Sequence, residues 1–162
     1  MEYIRVVKDI TNITKTELIK PIFDLDGTLI IELRKSKRLF DFENPSAILN
    51  LEVEDLTPLG ILVRDSGKLF DILTARGSHS APFIRKALTK LGFNVRKIVT
   101  VGVDINEPAD WAKVSSKAVV AKKQKVVRFI LRKLVDNDAR NLEGLGELGE
   151  LVSEDQTEFV TS

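Results

Sequence analysis

The chain has 162 residues, 43% of them apolar and 30% charged, which predicts one ordinary globular domain and excludes disordered, collagen-like and disulfide-dependent classes. It has no Cys, no apolar run near the ~18 residues of a membrane span and no signal-peptide pattern, so we expect a cytoplasmic protein without thiol chemistry or a membrane partner. The net charge is only +1, but residues 141–162 hold six acids and no Lys or Arg, so residues 1–140 carry an excess of positive charge.

The first part of the chain contains one clear strand signal. Residues 1–20 form an N-terminal extension whose β-rich opening is a candidate edge strand. An apolar run begins at Pro21 and ends abruptly in Asp-Gly-Thr, which predicts a strand and the turn after it. Residues 30–55 then break the pattern, so a small flap is expected there, with a short helix at Pro45–Leu51.

The rest of the chain alternates between predicted helices and strands. In chain order these are a helix at Pro58–Asp65, a strand in KLFDILTARG, a helix at Ala81–Leu91, a strand in KIVTVGVD and a helix within Ala118–Leu134. The last residues before VDND could instead form a short strand, Asn141–Leu151 is predicted to be weakly helical, and TEFV is a candidate final strand. This alternation predicts βαβ units and a mainly parallel sheet.

Acidic side chains follow two of the predicted strands. Asp24 and Asp26 come directly after the first strand, and Asp136 ends the segment before the last helical stretch. Because the carboxyl ends of parallel strands share one edge, where such sheets bind ligands, the three carboxylates are expected to converge. Carboxylates this close repel one another, so the site needs a cation, and oxygen ligands favour Mg²⁺.

This set of groups predicts phosphoryl chemistry. A metal-neutralised Asp is a competent nucleophile towards phosphorus and would form an aspartyl-phosphate. A second carboxylate can protonate the leaving oxygen and then activate the water that hydrolyses the intermediate. A Thr hydroxyl, backbone N–H groups and a Lys would hold the remaining phosphoryl oxygens.

Three motifs resemble those of the haloacid dehalogenase-like (HAD) superfamily of phosphohydrolases. FDLDGTL resembles the first motif, ILTARG is similar to the second, and VDNDARNLEGL is similar to the acidic fourth motif. They occur in the family's order and cover most of Pro21–Leu145. The resemblance implies an α/β fold, a HAD-like Rossmannoid three-layer sandwich with a mainly parallel sheet and a minimal cap, formed by residues 21–162.

The resemblance also implies roles for particular residues. Asp24 would be the nucleophile, Asp26 the general acid/base, and Thr74 a phosphoryl-binding group. Mg²⁺ would bind the carboxylates of Asp24 and Asp136 and the backbone carbonyl of Asp26. Asn137 stands where many relatives carry a second acid, and an Asn can hold a metal-bound water but adds no charge.

The same motifs also indicate substrate-binding residues and a catalytic Lys, whose positions are less sharply specified. The turn residues after the first two strands are expected to bind substrate: Gly27, Thr28, Ala75 and Arg76. Arg76 could contact the substrate phosphate or pair with an acid. The third motif is a Lys near the start of the helix that precedes the fourth motif. The candidates are Lys117, Lys122, Lys123 and Lys125, and we favour Lys122 or Lys123.

The spacing of the motifs leaves little room for a full cap domain, because only about 45 residues separate Thr28 from Thr74 and part of them must form a core helix. An open site suits a large substrate, such as a nucleic-acid end or a phosphoprotein, or a small one enclosed by a partner subunit. The leading expectation is a nucleotide or a nucleic-acid 3′-phosphate. The basic run Arg34–Arg38 in the flap would attract a polyanion. The alternative is a HAD-fold binding or structural protein that is weakly active or inactive.

Overall fold

The computed structural model describes residues 20–32, 45–102 and 117–153. Several predictions lie outside these residues: the edge strand in the N-terminal extension, the basic run Arg34–Arg38 with most of the flap, and the TEFV strand.

Within these ranges, five strands form one sheet in which every neighbouring pair is parallel. They are β1 (Ile22–Phe23), β2 (Phe70–Thr74), β3 (Val95–Thr100), β4 (Leu134–Asp136) and β5 (Gly149–Leu151). The spatial order is β3-β2-β1-β4-β5, so the chain moves outward from β1 in one direction and then returns to the other side of β1 with β4. The parallel α/β prediction is therefore confirmed, and the chain changes direction between β1 and β4, the position at which open parallel sheets commonly bind ligands.

In the described residues, four α-helices connect or follow the strands: α1 (Pro58–Ser66), α2 (Ala81–Lys90), α3 (Lys117–Ile130) and α4 (Ala139–Leu142). Short 3₁₀ helices occur at Pro45–Asn50, Val53–Asp55, Ser78–Ser80 and Gly146–Leu148. The predicted helices at 45–51, 58–65 and 81–91 are confirmed to within one residue at each end. None of the described helices combines the length and the apolar character needed to cross a bilayer.

The helices cover both faces of the sheet. Alternate strand residues point to opposite sides, so Phe23 and Ile72 pack with α1 and α2, whereas Ile22 and Leu73 pack with α3. The described part of the flap region belongs to the first of these layers, since Ile48 is fully buried in it. The result is a three-layer α/β arrangement with the sheet in the middle.

The structure resolves one open alternative and corrects one prediction. Helix α3 ends at Ile130, and the short strand β4 follows it, as one of the two readings of Ala118–Leu134 expected. The weakly helical prediction for Asn141–Leu151 is wrong, because α4 ends at Leu142 and residues 149–151 form β5. The strand is stabilised there by its pairing with β4 and by the ion pair between the buried Glu150 and Lys133, at 2.8 Å.

Candidate functional site

The centre of the site is the junction between β1 and β4. Asp24 directly follows β1, and its backbone N–H donates to the carbonyl of Val135 at 2.9 Å, which continues the pairing of the two strands. Asp136 is the last residue of β4. Both carboxyl groups are buried, with 6% and 0% of the residue exposed, respectively. Parallel pairing of two adjacent strands therefore brings together two acids that are 112 positions apart in the chain.

Lys123 joins the two acids. Its Nζ lies 2.6 Å from Asp24 Oδ1 and 2.8 Å from Asp136 Oδ2. The side chain is fully buried because Lys123 lies on the inner face of α3, four residues from Val119 and four from Val127. Lys122 is exposed on the outer side of the same helix, so the structure brings only one of the two favoured lysines to the site.

The burial of these charges changes their protonation. Burial raises the pKa of Asp24 to about 8, and the charge of Asp136 adds to this effect while Lys123 opposes it. Burial lowers the pKa of Lys123, but the charges of Asp24 and Asp136 and their hydrogen bonds outweigh burial and raise it above its ordinary value. The ammonium group is therefore charged throughout the physiological range, whereas Asp24 is poised to titrate within it.

The turn after β1 wraps closely around Asp24. The hydroxyl of Thr28 donates to Asp24 Oδ2 at 2.9 Å and accepts from the backbone N–H of Asn137 at 3.1 Å. Gly27 has a φ of 81°, and a Cβ at this position would overlap the Asn137 side chain. Only glycine satisfies both conditions, which explains why the Asp-Gly-Thr turn can pack against the end of β4.

Oxygen atoms from three residues converge on one point beside Asp24. With its amide nitrogen facing them, Asn137 donates to Asp24 Oδ2 and to the Asp26 carbonyl, each at 3.0 Å, and to Asp136 Oδ1 at 3.3 Å. Among the described residues no three His, Cys, Asp or Glu side chains form a metal-binding group. The convergence here consists instead of two carboxylates and one backbone carbonyl, a hard oxygen set that suits Mg²⁺.

Asn141 is a site residue that the sequence analysis missed. Its Nδ2 donates to Asp136 Oδ2 at 3.0 Å, and the backbone N–H of Asp138 donates to Asp136 Oδ1 at 2.9 Å. These bonds fix the orientation of the carboxylate. Asn141 lies five residues after Asp136 and is buried in the single turn of α4. Its polar side chain, so close in sequence to a predicted metal-binding acid, was the signal that could have identified it.

Arg76 contacts Asp26 through two hydrogen bonds. Its Nε donates to Asp26 Oδ2 at 2.9 Å and its Nη2 donates to Oδ1 at 2.8 Å. The Arg76 side chain is almost fully buried, whereas the Asp26 side chain is 19% exposed. Of the two contacts expected for Arg76, a substrate phosphate or an acid, the structure shows the one with an acid, Asp26. Each carboxylate oxygen keeps one further acceptor position.

The turn after β2 completes the edge. Thr74 is buried at the end of β2, and its hydroxyl accepts from the backbone N–H of Arg76 at 3.2 Å. Ala75 is half-buried, and its carbonyl lies where a Cβ on Gly102 would stand. Glycine at 102 therefore allows the end of β3 to approach this turn closely. Hydrogen bonds thus connect most of the expected residues in two groups, one around Asp24 and one that pairs Asp26 with Arg76. Of the four candidate lysines, only Lys123 contacts the acids, and Lys117, Lys122 and Lys125 are exposed.

Comparisons of the chain with protein-family models, with curated proteins and with solved structures found no match.

Proposed function

We propose that the protein is a Mg²⁺-dependent phosphomonoesterase of the HAD type that acts through an aspartyl-phosphate on Asp24. The observation that carries the proposal is the buried trio of Asp24, Lys123 and Asp136 at the junction of β1 and β4. Burying two carboxylates and one ammonium is costly for a purely structural purpose. Perturbed ionisable groups at the carboxyl edge of a parallel sheet are typical of a functional site.

The charge of the trio supports a role for a divalent cation. When both carboxylates are ionised, the two acids and Lys123 carry a net charge of −1, which opposes an anionic substrate. Asp24, Asp136 and the Asp26 carbonyl would hold Mg²⁺. The bound ion would supply positive charge, which neutralises the nucleophile and attracts a phosphate dianion. The Asn137 side chain would have to turn away from these oxygens to admit it.

The reaction follows from the positions of the protein groups. A carboxylate oxygen of Asp24 attacks phosphorus, and the bond between phosphorus and the leaving oxygen breaks. Asp26, whose side chain is partly exposed, gives a proton to that oxygen and then takes one from the water that attacks the phosphoryl group. Inorganic phosphate leaves and Asp24 is restored. Lys123 and the backbone of the turns at 27–28 and 75–76 stabilise the charge on the phosphoryl oxygens.

The substrate we propose is a nucleotide or a nucleic-acid 3′-phosphate. The test is hydrolysis of 4-nitrophenyl phosphate with and without Mg²⁺, in the wild type and in Asp24→Asn. We expect turnover that requires the metal and is lost in the variant. Equal turnover by both proteins would exclude Asp24 as the nucleophile and overturn the proposal.

A second candidate is a HAD-fold binding protein with little or no turnover. Two observations favour it: the Asn137 amide fills the point where the oxygen atoms converge, and Arg76 donates a hydrogen bond to each oxygen of Asp26, the proposed general acid/base. Calorimetry distinguishes the two. Binding of Mg²⁺ and phosphate by folded protein, without hydrolysis of any phosphomonoester, would support the binding protein.

A further inference from the structure

The exposed face of α3 carries positive charges that the proposed reaction does not use. The helix contains no acid, and four of its basic residues are exposed: Lys117, Lys122, Lys125 and Arg128. At about 100° per residue these four fall within an arc of about 140° on one side of the helix. None of them forms an ion pair with another residue in the described part of the chain. We call this set the α3 basic row.

An aromatic side chain lies on the same face. Phe129 is 87% exposed and falls inside the arc of the α3 basic row. The opposite side of the helix packs against the core, since Val119 and Val127 are only 5% and 0% exposed. A helix that lies on a membrane surface needs an apolar face of its own for the lipid, and α3 has none left. What it offers to a partner is charge and a single ring.

The α3 basic row begins at the edge that holds the site. Helix α3 follows β3 and precedes β4 in a parallel sheet, so it runs opposite to the strands and its first residues lie at their carboxyl edge. From Lys117 to Arg128 the row extends about 16 Å at 1.5 Å per residue. The row is therefore long enough to lie along several phosphates of one strand.

We propose that the α3 basic row binds the backbone of a single nucleic-acid strand whose phosphorylated end lies in the site, with a base stacked on Phe129. The phosphates of a strand are attracted to a concentration of Lys and Arg on one side of a helix, and an isolated exposed ring stacks on an unpaired base. The inference names the substrate class for the proposed phosphomonoesterase and rests on that proposal for the chemistry at the strand's end. The binding itself is measurable without turnover.

The experiment measures binding of a labelled single-stranded DNA with a 3′-hydroxyl end by fluorescence anisotropy, in chelator, over a series of salt concentrations. The test variant is Lys125→Gln/Arg128→Gln. The matched control, Lys86→Gln/Lys90→Gln, removes the same charge from two exposed lysines of α2, which packs on the other face of the sheet. We expect the test variant to bind at least about tenfold more weakly at 0.1 M salt and to lower the salt slope by about 1.4. The control should change neither by more than about twofold.

A second pair of variants tests the stacking. Phe129→Ala should weaken binding of the single strand, whereas Leu131→Ala, which removes another exposed apolar side chain, should not. Equal losses in the two double variants, or wild-type binding by the test variant, would overturn the inference. Competition by anionic phospholipid vesicles as strong as that by DNA would also overturn it and would indicate a membrane partner.

Hydrolysis of 4-nitrophenyl phosphate separates this inference from the proposed function. Lys125→Gln/Arg128→Gln should keep wild-type turnover of this small substrate, since both residues lie outside the site. If Asp24→Asn abolishes hydrolysis and the test variant binds DNA normally, the inference fails and the phosphomonoesterase stands. If DNA binding depends on the row but the wild type hydrolyses no phosphomonoester, the inference stands as a binding site and the proposed function fails.

Discussion

Replacing Lys123 by Met removes the ammonium group that lies 2.6 Å from Asp24 Oδ1 and 2.8 Å from Asp136 Oδ2. Removing one side of a buried ion pair costs about 3–5 kcal/mol of stability. We expect the lower end, about 3 kcal/mol, in metal-free protein, because the pKa of Asp24 is already raised to about 8 and this group can remain neutral. Met keeps the apolar stem of Lys, so packing within α3 changes little.

The cost of Lys123→Met should increase with pH. Lys123 holds the pKa of Asp24 below the value that burial and Asp136 would otherwise give it, so its removal raises that pKa further. An acid whose folded-state pKa is raised loses stability as pH rises from its unfolded value towards the folded one. In the wild type, the stability lost through ionisation of Asp24 levels off above about pH 8, whereas the variant continues to lose stability there because its Asp24 ionises at a higher pH. The difference between the two proteins is therefore larger at about pH 9 than at about pH 6.

Urea unfolding followed by far-UV circular dichroism in chelator measures this difference, and Lys122→Met is the control. Lys122 is the neighbouring residue but is exposed, so its replacement should change stability by less than about 0.5 kcal/mol. For Lys123→Met, a loss of about 3 kcal/mol corresponds to a fall of about 6–12 °C in Tm. Wild-type stability of Lys123→Met, or an equal loss in the control, would refute the placement of Lys123 between the two acids.

Three further predictions concern the groups around the trio. Asp24→Asn should raise the free energy of unfolding of the metal-free protein at pH 8 by at least about 1.4 kcal/mol, the equivalent of one pKa unit, because Asn carries no charge to bury. This gain should shrink towards pH 4, where Asp24 is neutral in the wild type as well. A gain that stays constant with pH in urea titrations would contradict the raised pKa. Mg²⁺ should raise the Tm of the wild type but not of Asp136→Asn in differential scanning fluorimetry, because binding to the folded state alone stabilises it. Arg76→Ala should slow hydrolysis of alkyl phosphates at least about tenfold more than that of 4-nitrophenyl phosphate, since only the poorer leaving group needs a proton from a well-placed Asp26. Equal losses on both substrates would argue against a positioning role.

The parallel sheet and the main acids of the site could be predicted from local patterns. Asp24 and Asp136 each follow a short apolar run, and parallel strands bring such ends to a common edge whatever lies between them. Gly27 added a turn signal at the same point, which its positive φ explains. These features depend on a few neighbouring residues, which a single sequence displays directly.

Features that depend on helix phase or on distant partners could be predicted only in part or not at all. Choosing Lys123 over Lys122 required the rotational setting of α3, although the four-residue spacing of Lys123 from Val119 and Val127 was a usable signal. The contact of Arg76 with Asp26 joins turns 50 residues apart, and no local pattern specifies it. Strand β5 has three residues, one of them Gly149 and one a buried acid, so it shows no strand periodicity and its pairing with β4 alone defines it.

Trapping the intermediate tests the central claim most directly. Wild-type protein would be quenched in acid during turnover of a phosphomonoester with Mg²⁺ and then reduced with borohydride, which converts an aspartyl-phosphate to homoserine. Peptide mass spectrometry should find homoserine at position 24, at no other Asp, and only when substrate was present. Turnover with an unmodified Asp24, or with homoserine at position 26 or 136, would contradict the account of Asp24 as the nucleophile.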